Sequence, residues 1–156
     1  MRTAIVETPI DAAALVAEVA APSRGAQVLF VGAVRDRHEG RPVSGIRYDC
    51  YRAMAERVLA AIAADLEREH DGLAVAIVHR VGELAAGEAS IAIACASPRR
   101  DAAFAAARRA LERVKREAPI WKLERYGDGG AAWRLEEPLS PPDDDAGRGG
   151  GSPAAT

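Results

Sequence analysis

The sequence predicts an α+β fold, in which three main helices accompany a mixed, largely antiparallel sheet. Its 156 residues are enough for one domain with a modest core, and 49% of them are hydrophobic. Apolar stretches of strand character and stretches of helical periodicity follow one another without the regular alternation of a parallel α/β sheet. We therefore expect residues 1–135 to form a single domain. Residues 136–156 are rich in Pro, Asp, Gly and Ser, which predicts a disordered acidic tail.

The first half of the chain begins with a short strand predicted over residues 1–7. Asp11 is a suitable N-cap for a helix that ends near Ala20. Residues 26–34 are almost all apolar, which is typical of a strand covered on both faces. Residues 37–42 are polar and predict a mobile loop. Residues 44–51 alternate between apolar and polar types, as a strand with one buried face does.

A second helix is predicted over residues 54–70, and two further strands over residues 73–81 and 89–96. Residues 82–88 are expected to be the loop that joins those strands. One apolar stripe predicts the second helix, and it is formed by Met54, Val58, Ile62 and Leu66. After the third helix, residues 121–125 are expected to be extended and residues 127–130 to form a turn.

The third helix is the most informative segment. Ser97 is a natural N-cap, and Pro98 suits the first helical position, where no backbone N–H is needed. Pro119 disfavours a helical conformation at Ala118, so the helix should end near Glu117. Its apolar stripe is expected to consist of Phe104, Ala107, Leu111 and Val114.

Positive charge is concentrated on this helix and on the residues that follow it. Residues 97–125 hold nine Lys/Arg against four Asp/Glu, although the whole chain has a net charge of −2. Arg99 and Arg100 lie in the first turn, where the helix dipole already favours anions. Two cations beside free backbone N–H groups suit a phosphate, although a pair of solvated arginines would have the same sequence.

Several classes of site and location are disfavoured. The sequence has neither a phosphate-binding glycine loop nor a serine-hydrolase motif. Cys50 and Cys95 have no ligand-spaced partners, so we expect no metal, no disulfide and no cofactor, and a reducing compartment. No stretch is apolar enough to span a bilayer, and Glu7 and Asp11 interrupt any signal-peptide pattern. These observations predict a cytoplasmic protein.

The residues best suited to chemistry are cationic. Lys115 precedes the Pro119 break and Lys122 follows it, so the two ammonium groups can converge across the bend. Close cations lower each other's pKa, which would make one lysine a usable base or nucleophile. An inert surface lysine is the alternative for each. Arg35, at the end of a strand, is a further candidate, whereas His79 is expected to be a hydrogen-bonded structural residue.

The chain resembles a known family, the large, catalytic subunit of molybdopterin synthase, from about Thr3 to Trp133. The segments that carry the resemblance are F-V-G-A-V-R-D (30–36), Y-D-C-Y-R-A-M-A-E (48–56), H-R-V-G-E-L (79–84), R-R-D-A-A-F (99–104) and V-K-R-E-A-P-I-W-K-L-E (114–124). The combination of V-G-x-V-R-D with two lysines seven residues apart around P-I-W is specific to this family.

The resemblance implies an α/β-hammerhead fold and a sulfurtransferase of molybdenum cofactor biosynthesis. The substrate would be cyclic pyranopterin monophosphate, and the sulfur would arrive as a thiocarboxylate on the C-terminus of a small ubiquitin-like subunit. The large subunits would form a homodimer within a heterotetramer. Lys115 and Lys122 would be catalytic. The substrate-binding positions would be Ala33, Val34, Arg35, Arg99, Arg100, Lys115, Lys122, Leu123 and Glu124.

One position departs from the family pattern, which usually has His-Arg where this chain has Arg99-Arg100. Arginine keeps the positive charge but cannot exchange a proton near neutral pH. Arg100 and Lys115 are fifteen residues apart, about 22 Å along a helix. We therefore expect a composite site that uses Arg99 and Arg100 of one protomer and the lysines of the other.

Two alternatives come from other functional classes. The basic helix with nearby tryptophans is compatible with an RNA-binding α+β module, although the pI of about 5.9 and the low aromatic content disfavour nucleic acid as a partner. A non-catalytic scaffold that docks a ubiquitin-like protein is the other. Neither a nucleic acid nor a membrane is the expected partner.

Overall fold

The computed structural model describes residues 2–134 and confirms the predicted α+β class. Three helices accompany two sheets within that range. The elements in chain order are β1 (Thr3–Val6), α1 (Ala12–Val19), β2 (Ala26–Ala33), β3 (Arg37–His38), β4 (Arg41–Cys50), α2 (Arg52–Glu69), β5 (Ala74–Arg80), β6 (Gly82–Ala85), β7 (Ala89–Ser97), α3 (Arg100–Glu117), β8 (Ile120–Tyr126) and β9 (Ala131–Arg134). The predicted tail, residues 136–156, lies outside the described residues.

The first sheet has the strand order β1-β5-β7-β2, and only the β1–β5 pair is parallel. Small and large side chains alternate along its two central strands, β5 and β7. Alanines of β5 and β7 pack against Leu15 and Val19 of α1 on one face. Larger side chains such as Ile77 and Ile93 pack against α2 and α3 on the other face. The sheet is therefore buried on both sides, and the main core lies beneath the two long helices.

The second sheet has the order β3-β4-β8-β9, and β6 also pairs with β4. Residues Gly45 to Tyr48 of β4 pair with β6 at one edge and with β8 at the other. At Gly45 the neighbouring strand comes so close that an added Cβ would lie 2.7 Å from the carbonyl oxygen of Leu84. Glycine permits this approach because it carries no side chain. The second sheet sets β8 beside the end of α3, which places the site described below.

Two predicted helix boundaries are confirmed. Asp11 Oδ1 accepts a hydrogen bond from the Ala14 N–H at 3.0 Å, as an N-cap does. α3 ends at Glu117, two residues before Pro119. The start of α3 was predicted wrongly, because Arg99 is its N-cap. Ser97 is instead the last residue of β7, where it pairs with Ala26, and its hydroxyl accepts from the Arg99 N–H at 3.2 Å.

Three predicted buried surfaces are wrong in detail. Phe104 is 65% exposed, since the buried stripe of α3 runs through smaller residues. α2 begins at Arg52, and Met54 is 45% exposed. Leu29 and Val31 are 43% and 42% exposed, because one face of the edge strand β2 is only partly covered. The residues that do form the buried stripe of α3 are Ala103, Ala106, Ala107, Ala110, Leu111 and Val114.

Two segments expected to be loops contain strands. β6 lies within the predicted connection 82–88, because its backbone pairs with β4. Residues 37–42 form the hairpin of β3 and the start of β4, with Arg37 opposite Pro42. Short polar strands of this kind carry no apolar pattern to reveal them. Within residues 2–134, no helix is long and apolar enough to cross a membrane.

Candidate active site

A cavity of about 220 Å³ opens between the last turn of α3, the start of β8 and the inner face of the first sheet. Apolar side chains form much of its wall, and several cationic or hydrogen-bonding groups converge on it. The combination is typical of a site that binds a small polar molecule. The lining residues are Phe30, Gly32, Arg35, Tyr48, His79, Ser90, Ile91, Leu111, Val114, Lys115, Ile120 and Lys122.

The chain brings Lys115 and Lys122 to this cavity by reversing direction at Pro119. Lys115 lies in the last turn of α3, and Lys122 is the third residue of β8. The reversal is fixed by two backbone hydrogen bonds, from Ile120 N–H to the Ala118 carbonyl at 2.8 Å and from Tyr51 N–H to the Pro119 carbonyl at 3.1 Å. Both lysines therefore face one cavity.

These two residues are the only lysines in the sequence, and the other 19 of its 21 basic Lys/Arg residues are arginines. A guanidinium keeps its charge at all ordinary pH values, whereas an ammonium group can give and take a proton. The chain thus places its only proton-exchanging cations of this kind in the cavity. The scarcity of lysine is visible in the sequence itself and points to the same two residues.

Arg35 reaches the same cavity from the end of β2. An irregularity in the β2–β7 register between Gly32 and Ala33 redirects the chain there. Gly32 lies on the cavity wall, and an added Cβ would lie 2.7 Å from Cγ2 of Ile91. Val34 is 4% exposed and packs in the core, and its backbone N–H donates to the Glu88 carbonyl at 2.9 Å while its carbonyl accepts from the Gly87 N–H at 2.7 Å. Ala33 is exposed but does not line the cavity.

Tyr48 and His79 form another part of the cavity wall. Tyr48 lies opposite Lys122 in the β4–β8 register. Its ring meets the His79 imidazole edge-on, with the ring centroids 5.1 Å apart. Nδ1 of His79 lies 2.9 Å from the Arg80 carbonyl oxygen, so the neutral ring carries its proton on Nδ1 and directs Nε2 as an acceptor. The predicted hydrogen-bonded His79 is therefore also a residue of the cavity.

Glu124 lies behind Lys122 on the same face of β8, and its side chain is only 3% exposed. Its Oε1 is 3.9 Å from Lys122 Nζ and 3.6 Å from His38 Nδ1. Its Oε2 accepts a hydrogen bond from the Tyr126 hydroxyl at 3.0 Å and lies 3.5 Å from Arg134 Nε. The structure thus places Glu124 as a buried anchor for surrounding cations.

The remaining predicted site residues lie elsewhere in the chain. Leu123 points to the opposite face of β8 from Lys122 and does not line the cavity. Arg99 and Arg100 are exposed at the far end of α3, where the side chain of Arg99 is 82% exposed and 4.0 Å from Asp101. One chain therefore brings together Arg35, Lys115 and Lys122 but not the arginine pair.

Most other arginines of α3 are neutralised by carboxylates. Arg113 donates to both Asp65 and Glu117 at 2.9 Å, and these hydrogen bonds hold the pKa of each carboxyl group below its usual range. Arg109 is paired with Glu69 of α2. Two of the basic residues of this segment, Arg109 and Arg113, therefore fasten α3 to α2.

The two cysteines are free thiols, and neither suits a nucleophile. Burial raises the pKa of Cys95 to about 12, and burial also raises the pKa of Cys50. The thiolate is the reactive form, so both side chains serve as small apolar groups. Within residues 2–134, no group of three His, Cys, Asp or Glu side chains is arranged to hold a metal ion.

The model of the MoaE protein family matches residues 5–117 of this chain. The chain belongs to the MoaE family. It is 40% identical over 128 residues to the molybdopterin synthase catalytic subunit of Bacillus subtilis, and the match covers 82% of each chain. The family places this protein in the biosynthesis of the molybdenum cofactor, and the relatives named here give no support to an RNA-binding module.

Solved MoaE-type structures share the fold. Molybdopterin synthase from Staphylococcus aureus is similar with a TM-score of 0.82 and 34% identity, over 86% of this chain and 97% of that one. A Helicobacter pylori complex of subunits 1 and 2 of molybdopterin-converting factor contains a chain with a TM-score of 0.72 and 22% identity, over 88% of this chain and 93% of that one. At this level of identity, the similarity to the Helicobacter pylori chain shows a shared fold only.

Proposed function

We propose that this chain is the catalytic subunit of a molybdopterin synthase. In this proposal it transfers sulfur from the C-terminal thiocarboxylate of a small ubiquitin-like subunit to cyclic pyranopterin monophosphate, forming the dithiolene of molybdopterin. The observation that carries the proposal is the convergence of Lys115, Lys122 and Arg35 on one partly apolar cavity. A cationic cavity suits a reaction whose substrate bears a phosphate and whose sulfur donor bears a carboxylate-like anion.

The lysines have the chemistry that the transfer needs. When the acyl carbon of the sulfur carrier is attacked, negative charge develops on its oxygen, and two nearby ammonium groups stabilise that oxyanion. One lysine also exchanges the proton that is required when the cyclic phosphate opens. Arg35 holds the incoming carboxyl terminus or the substrate. Glu124 would act through its contact with Lys122, whereas Ala33, Val34 and Leu123 do not line this cavity.

The phosphate would be held by Arg99 and Arg100 of a second copy of the chain. Fifteen residues of α3 separate Arg100 from Lys115, about 22 Å at the rise of an α-helix. Pterin-sized substrates are much shorter, so both groups can touch one substrate only if they belong to different protomers. This requirement favours a homodimer of catalytic subunits within a heterotetramer. We place this assembly in the cytoplasm.

A single-turnover assay tests the proposal. The protein is mixed with cyclic pyranopterin monophosphate and a thiocarboxylated small subunit, and dithiolene formation is followed. We expect one molybdopterin to form for each active site and two thiocarboxylates to be consumed. Bound small subunit with intact substrate would contradict the proposal and indicate a docking scaffold.

A further inference from the structure

Lys122 lies between two cavities. On one side is the candidate active site, and on the other is a smaller cavity of about 30 Å³. Arg35 and Lys122 line both. The smaller cavity brings His38, from the β3–β4 hairpin, beside Lys122. The residues that line it are Arg35, Arg37, His38, Val43, Ile46, Lys122 and Glu124.

His38 and Lys122 approach the same oxygen atom. Glu124 Oε1 lies 3.6 Å from His38 Nδ1 and 3.9 Å from Lys122 Nζ. The other carboxylate oxygen is already engaged by Tyr126 and faces Arg134. Because the Glu124 side chain is only 3% exposed, water screens these interactions poorly. A stronger interaction of one cation with Oε1 therefore weakens that of the other.

We propose that His38 is a positioning residue that controls how firmly Glu124 holds Lys122. The inference rests on the proposed function. When His38 is protonated, its imidazolium binds Oε1 of Glu124, and the Lys122 ammonium turns toward the substrate cavity. When His38 is neutral, Glu124 holds Lys122 back. Imidazole groups exchange a proton between about pH 5 and 8, and this is the range in which the control is to be tested.

Besides Lys122, the charged groups around His38 are carboxylates and guanidinium groups. Glu39 Oε2, in the hairpin turn, is 4.0 Å from His38 Nε2, and its side chain is 80% exposed. Carboxylates and guanidinium groups stay charged between pH 5 and 8, so they supply a constant field. The arginines nearby are Arg35 before the hairpin, Arg37 in β3, Arg41 opposite His38 in β4, and Arg134 in β9.

Because the sequence contains only two lysines, the proposal can be tested by following the signal of each lysine side chain. Lysine labelled with ¹³C and ¹⁵N gives side-chain signals from Lys115 and Lys122 only, and the three histidines can be followed in the same titration. We expect the Lys122 side-chain signal to move between pH 5 and 8 with the same midpoint as the His38 imidazole. His38→Gln should abolish that step, and the control His70→Gln, at the end of α2, should keep it.

Turnover provides a second readout that a merely structural role would not change. We expect the wild-type single-turnover rate to fall about fivefold as His38 loses its proton, the factor that an ion pair of ordinary strength supplies. His38→Arg, with its permanent charge, should keep the low-pH rate up to pH 8. His38→Gln should show the high-pH rate throughout.

Two results would overturn the inference. One is a Lys122 signal that stays constant while His38 titrates, or whose step survives in His38→Gln. The other is a wild-type pH profile retained by both His38→Arg and His38→Gln. Absence of turnover in every variant would instead contradict the proposed function, and the lysine titration would still decide the role of His38.

Discussion

Mixing two inactive variants tests whether the active site is shared between protomers. The variants are Arg100→Ala, which removes the end of the site proposed to bind the phosphate, and Lys122→Ala, which removes the end proposed to be catalytic. The α3 helix places these ends about 22 Å apart in one chain. In a composite site, each homodimer of a single variant therefore has two defective sites.

The expected recovery follows from counting sites. Random exchange makes half of the dimers mixed, and each mixed dimer carries one site with both defects and one with neither. About a quarter of all sites should then be intact, so the mixture should reach about a quarter of the wild-type rate per chain. Each variant alone should be at least about a hundredfold slower than the wild type.

The assay is single-turnover dithiolene formation after the two variants have been unfolded together and refolded to exchange subunits. A mixture that does no better than the average of the two variants would refute the shared site. The control is a refolded mixture of wild type and the double variant Arg100→Ala/Lys122→Ala, in which the mixed dimers have no intact site. Its activity should come from wild-type dimers alone, at about a quarter of the wild-type rate per chain.

Three further predictions concern other parts of the chain. Arg99→His should raise KM relative to the wild type as pH increases from 6 to 8, because imidazole loses the charge that arginine keeps. Leu59→Ala, at a fully buried core position, should lower the free energy of unfolding in urea by about 2–5 kcal/mol. Arg113→Gln should destabilise the protein at neutral pH. The difference should vanish in acid, since a depressed carboxyl pKa stabilises the fold above about pH 4 and the stabilisation is lost as Asp65 and Glu117 protonate.

Each of these three predictions has a result that would contradict it. A constant ratio of KM values across pH would show that position 99 does not bind the phosphate by charge. An unchanged urea midpoint for Leu59→Ala would contradict the core described here. For Arg113→Gln, a deficit in the urea midpoint that persists below pH 3 would mean that Arg113 stabilises α3 by packing and not through its two carboxylates.

The sequence was most informative where a local rule decides the backbone. Asp11 caps α1 because its carboxylate reaches a backbone N–H three residues on, and Pro119 ends α3 because it restricts the residue before it. Both features depend on neighbours in the chain alone. The convergence of Lys115 and Lys122 was accessible for the same reason, since a single bend separates them.

Features that depend on distant partners were missed. β6 exists because β4 lies beside it, and nothing in residues 82–85 reveals that pairing. Phe104 follows the period of the apolar stripe, yet α3 is rotated so that alanines contact the sheet and the ring is exposed. The contact of His38 with Glu124 joins residues more than eighty positions apart, so only the folded chain shows it.

Substitution of the two lysines shows whether they perform the proposed sulfur transfer. Single-turnover rates would be measured for Lys115→Ala and Lys122→Ala, with Arg57→Ala on the exposed surface of α2 as the control. We predict that each lysine variant is about 10²- to 10⁴-fold slower while still binding the small subunit, and that the control is unchanged. Rates close to that of the wild type in both lysine variants would show that neither lysine is catalytic.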